Sequence, residues 1–139
     1  MSLNPTPART AFLSKLLGLY LVLISFAMFA HPQATIEATT ALMENPAVLF
    51  VTAVFAMAAG LAMVLGHNVW SGGALPVVVT LTGWFMLAKA TLLLFLPPQV
   101  ANAFFLTGLG YQQHFDLYSC IPLLLGSYLT YAGFRSTHP

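Results

Sequence analysis

Residues 75–96 read LPVVVTLTGWFMLAKATLLLFL, an apolar run that carries a single charge, Lys89. A helix needs about 20 apolar residues to cross a bilayer's hydrocarbon core, so this length and composition predict a membrane span. Pro76 falls in its first turn, where a missing N–H costs nothing. Pro97 and Pro98 close it, because neither can donate the next helical hydrogen bond. Three more runs of the same kind lie on either side: Phe12–Ala30, Ala47–Gly66 and Leu117–Phe134. The expected fold is therefore all-α, a four-helix transmembrane bundle occupying the whole chain as a single integral membrane domain.

Composition supports this and excludes much else. Charged residues make up 5% of 139 positions and hydrophobic ones 59%, with a mean hydropathy of +0.87. Soluble domains carry about 25% charge, so this chain cannot build a water-facing surface. A formal charge of +1 provides no basic field for nucleic acid. Cys120 is the single cysteine, which rules out an intrachain disulfide and CxxC redox chemistry. Arg9, Lys15 and the apolar Leu16–Ala30 have the general form of a signal peptide. Met28-Phe29-Ala30 lacks the small-x-small exit, however, so the first run is expected to stay as a span.

Breakers place the remaining boundaries. His31-Pro32 ends the first span, and Asn45-Pro46 opens the second with an N-cap and a proline at the first helical position. Ser71-Gly72-Gly73 makes a short hairpin between spans two and three. Asp116 is placed to cap span four, and Pro122 within that span predicts a kink by freeing the Tyr118 carbonyl. The first and third connections are longer, and Ala34–Met43 and Gln99–Thr107 read as short interfacial helices. Arg9, Lys15 and Arg135 fall on one side of the membrane, whereas the long connections hold only Glu37, Glu44 and Asp116. The positive-inside rule thus predicts both termini in the cytoplasm.

Close helix packing in lipid uses small residues. Span two offers Thr52, Ala56 and Gly60, and span four offers Gly126, Thr130 and Gly133. Gly18 and Gly83 serve the other two. These faces predict helix packing, self-association or association with another membrane subunit; lipids are the remaining expected partner.

Lys89 is the leading site candidate, since a charge in mid-span costs about 2.5–3.5 kcal/mol on insertion scales. Pro97 lies ~12 Å further along a helix axis. Helical side chains tilt toward the N-terminus, here away from that nearer surface. Asp116 is the expected partner, with Glu44 next. Lys89 either fixes packing, by snorkelling or by such a pair, or binds an anionic headgroup or solute, or couples to protons. His67 and Asn68 are expected to cap the open carbonyls of span two, and Trp70 to sit in an interfacial belt. Trp84, in the middle of span three, wants an acceptor for its indole N–H, with Thr80 one turn earlier available. It packs on a neighbouring span or touches a quinone, pigment or lipid.

His31 and His114 share a side but lie in or beside loops, which disfavours a haem. No HxxxH or ExxH pair exists, so no metal site is expected. The serines and threonines form no nucleophile–base arrangement and carboxylates number three in total, so no catalytic residue and no cofactor is assigned.

The stretch Gly66-His67-Asn68-Val69-Trp70, then Thr80-Leu81-Thr82-Gly83-Trp84 and Lys89, resembles a group of small four-span bacterial membrane proteins to which no activity is attached. In that group a His-Asn-x-Trp hairpin leads into Thr-Leu-x-Gly-Trp and then a lysine. The resemblance implies a bacterial inner membrane and adds no mechanism. The functional expectation is a non-enzymatic accessory or structural subunit, or a homo-oligomer. The rivals are a small transporter or channel subunit using Lys89 as an ion or anion site, and a cofactor- or pigment-binding membrane subunit.

Overall fold

Prolines set the helix boundaries in the computed structural model, which describes residues 6–136. Helix α1 (Thr6–Ala30) stops at His31, and Pro32 starts α2 (Pro32–Glu44). Only Asn45 separates α2 from α3 (Pro46–Gly66). Its Oδ1 accepts from the N–H groups of Ala47 and Val48 at 3.1 and 3.2 Å, the expected N-cap. Helix α4 (Ala74–Phe95) follows the hairpin. Pro97 then leads into a short α5 (Pro98–Asn102), which continues as a π-helical turn over Ala103–Gly108. Helix α6 (Phe115–Arg135) runs through Pro122 as one element. Among the described residues there is no strand. Four helices (α1, α3, α4 and α6) are long and apolar enough to cross a membrane.

The four spans are arranged as two tight antiparallel pairs, α1 with α6 and α3 with α4, joined by slighter contacts of α4 with α1 and α6. Glycines make each pair. A Cβ on Gly60 would stand 2.8 Å from the Leu87 Cα, and one on Gly126 would stand 2.8 Å from the Leu21 Cβ. Gly83 faces Met63, and Gly133 faces Ser14 and Lys15. The glycines read from the sequence are thus used inside the chain, where close van der Waals contact replaces a hydrophobic driving force that lipid does not supply. Polar groups follow the same pattern: the buried Ser14 Oγ donates to the Leu129 carbonyl across the α1–α6 seam at 2.6 Å. Lys15 lies over the Phe134 ring at 4.6 Å.

At one end of the bundle, α2 and α5 cover the start of α3 and the end of α4. Met43, Leu49, Ala53, Leu93 and Ala101 form a small buried cluster there. Tyr111 reaches Thr39 with a 3.3 Å hydroxyl contact, and the Tyr118 hydroxyl donates to the Leu109 carbonyl at 2.8 Å. Gly110 adopts φ 59° in the connection that these bonds hold. The opposite end carries the α3–α4 hairpin.

Candidate functional site

The hairpin motif gathers several polar contacts between residues far apart in sequence. Gly83 of α4 packs on Met63 and Val64, so α3, which ends at Gly66, stops about one turn further on, near the level of Thr80. The first turns of α4 therefore extend past α3. Residues 67–73 run alongside them in non-helical form. Backbone at that depth has no helix to satisfy it and must find partners within the protein. Thr80 supplies both for Val69: its hydroxyl donates to the Val69 carbonyl at 2.9 Å and accepts from the Val69 N–H at 3.0 Å. Thr80 is 1% exposed, so water does not compete for these bonds. Gly72 and Gly73, at φ 91° and 114°, then turn the chain into α4, in a region closed to most L side chains.

His67 is likewise buried, at 3% exposure. Its N–H closes α3 on the Met63 carbonyl at 2.7 Å, and its Nε2 lies 3.4 Å from the Pro76 carbonyl. Asn68 holds both of the chain's tryptophans. Its Oδ1 accepts from Trp70 Nε1 at 2.7 Å and from Trp84 Nε1 at 3.4 Å. His67 caps α3 as expected, through its backbone N–H and not its ring, whereas Asn68 does not: its side chain goes to the indoles instead. Thr80 does not serve Trp84, as its hydroxyl is committed to Val69. Trp84 is 44% exposed on the bundle surface, with its indole edge tied back to the hairpin.

Lys89 lies one helical turn and more beyond Trp84, exposed on the outer face of α4. Leu87 is opposite Gly60, so Lys89 stands level with the middle of α3. The expected pair with Asp116 is not formed. Asp116 sits exposed in the first turn of α6, at the α2 end, and Glu44 sits exposed at the end of α2. Among the described residues Lys89 has neither a hydrogen bond nor an ion pair. The depth that made a pair desirable also separates it from both carboxylates. Asp116 does not cap α6 either; the N-cap is His114, without a side-chain cap bond.

The hydroxyls of α4 near Lys89 are used locally. Thr82 Oγ1 donates to the Val78 carbonyl and Thr91 Oγ1 to the Leu87 carbonyl, each at 2.8 Å. Around Lys89 the face consists of Leu81, Phe85, Ala88, Leu92 and Phe95, all exposed.

Shallow hollows lie at either end of the bundle, among them two between described residues. One, about 420 Å³, lies at the α2 end and is lined by Gln33, Glu37, Thr40, Glu44 and Gln112. The other, about 430 Å³, lies between α1 and α3 beside Arg9, Phe12 and Ala62. His31 and His114 are both exposed at the α2 end, and His114 Nδ1 lies 3.2 Å from the Gly110 carbonyl. Among the described residues, no group of three His, Cys, Asp or Glu side chains is placed to hold a metal ion.

The linkage of Asn68 to both indoles, and of Thr80 to Val69, was missed by sequence reasoning. The only available signal was their shared motif, which the sequence shows as a spacing and not as a contact. Comparison of the chain with protein-family models, with curated proteins and with solved structures finds no match.

Proposed function

We propose that this chain is a non-enzymatic, multi-pass subunit of a bacterial inner membrane that works by packing against other membrane protein through the outer face of α4. The single observation behind this reading is Lys89. It is exposed six residues inside the end of a membrane-length helix, and among the described residues no ion pair neutralises it. Leaving such a charge in lipid costs about 2.5–3.5 kcal/mol, and a protein contact on that face removes the cost. The apolar side chains of α1, such as Phe12 and Leu23 at 64% and 66% exposure, suit lipid equally well and call for no partner. Lys15 on α1 stands as far inside its own helix, but it is half-buried and lies over the Phe134 ring, whereas Lys89 is exposed.

Several features support the rest of the proposal. The basic residues Arg9, Lys15 and Arg135 fall at the hairpin end, so this end is cytoplasmic, with both termini. Helices α2 and α5 then lie at the outer interface. The resemblance of the hairpin motif favours a bacterial inner membrane. Absence of activity is supported by how the motif's polar side chains are spent: on backbone carbonyls and on indoles.

Photo-crosslinking tests this. A benzophenone side chain at Phe85 or Phe95 should capture protein in native membranes, while one at Phe55 on α3 (72% exposed) should capture lipid alone. Equal protein capture at all three positions would remove α4 from its special place. Ion or anion flux in liposomes that disappears in Lys89→Met would replace this reading with a transport one.

A further inference from the structure

We infer that the α4 face receives a transmembrane helix of a different protein, one that carries an aspartate or glutamate within its span at the depth of Lys89. This rests on the reading of α4 as a contact face and names what the face takes. Depth and charge carry it. Lys89 stands six residues, about 9 Å, inside the end of α4 at Phe95. Its side chain leaves the helix tilted toward the N-terminus, away from that end. All three carboxylates of the chain lie at the end of the bundle that α2 covers: Glu37 and Glu44 on α2 itself, and Asp116 in the first turn of α6.

A second copy in the same orientation brings its carboxylates to that same end, out of reach of Lys89. Packed α4 to α4 about a twofold axis, it instead sets lysine toward lysine. A charge with no internal acceptor and no complement in a second copy is met by a foreign carboxylate. The helix shape agrees. Leu81, Phe85, Ala88, Leu92 and Phe95 recur at alternating four- and three-residue spacing, the stripe one helix offers another. Ala88, directly before Lys89, leaves room for close backbone approach. Thr82 and Thr91 cannot share the charge, because both donate within α4.

The test measures association, in phosphatidylcholine vesicles, between the full chain labelled at Cys120 and a synthetic Leu/Ala spanning helix. The helix carries one aspartate six residues inside its end, at the depth of Lys89 (the central-aspartate helix), one aspartate at its terminal residue, or no acidic residue. The central-aspartate helix should bind about 5- to 30-fold more tightly than the other two, and Lys89→Met should erase the difference. Equal binding of all three helices, or a preference that survives in Lys89→Met, overturns the inference. So does loss of the preference when phosphatidylglycerol is added, which assigns Lys89 to a lipid phosphate. Energy transfer between copies of the chain that depends on Lys89 and is not competed by the central-aspartate helix overturns it in favour of self-association. Protein capture at Phe85 without any charge preference would sink this inference and leave the contact face standing; lipid capture alone at Phe85 would sink both.

Discussion

Thr80→Val removes one hydroxyl and keeps the shape of the side chain, so it isolates what that hydroxyl does. In the structure it is donor and acceptor to a single residue, at 2.9 and 3.0 Å from the Val69 carbonyl and N–H. Valine strips both partners from Val69 at once. An unsatisfied buried backbone group costs about 1–3 kcal/mol. Val69 is half-buried, which favours the lower part of that range for each group. The expected loss is thus about 2–4 kcal/mol for the two groups together. Reversible unfolding in mixed micelles with increasing SDS measures it, with near-ultraviolet dichroism reporting the tryptophans. Thr80→Ser retains the hydroxyl and should recover most of the loss, less the small cost of a missing methyl. A Thr80→Val protein within about 0.5 kcal/mol of the parent would refute the reasoning, since that is less than one net hydrogen bond. A serine variant as unstable as the valine one would shift the cause from hydrogen bonding to packing.

Asn68→Leu should release both indoles; the emission of single-tryptophan variants (Trp70→Phe and Trp84→Phe) should shift for both, and more for Trp70, whose bond is 2.7 Å against 3.4 Å. Gly60→Ala should destabilise by about 1–3 kcal/mol, as overpacking does, because the new Cβ meets the Leu87 backbone at 2.8 Å; Gly66→Ala, with nothing within 4 Å, should lie within about 0.5 kcal/mol of the parent by the same SDS titration. Asn45→Ala should cost about 0.5–2 kcal/mol through loss of the N-cap of α3, with faster amide exchange at Ala47 and Val48, the two groups it bonds.

The sequence by itself determined the four spans, their order and most of their ends, because a bilayer demands length and hydropathy and proline forbids helix continuation wherever it falls. The residues of closest approach were also legible: Gly18, Gly60, Gly126 and Gly133 stand against the backbone of the neighbouring helix, and Gly83 against the Met63 and Val64 side chains. What those glycines meet was not legible. Pairing α1 with α6 joins the two ends of the chain, and hydrophobic periodicity carries no information on which of four similar helices is a neighbour. The site was readable as a list of residue types and misread as a set of contacts. Asn68 and Trp84 are sixteen residues apart and meet only because α3 stops a turn or two short of the start of α4, leaving residues 67–73 to run back along it. Lys89 and Asp116 were paired in expectation because opposite charges in lipid attract. Tertiary structure separated them, since one stands level with the middle of α3 and the other in the first turn of α6, and side chains cannot span that height.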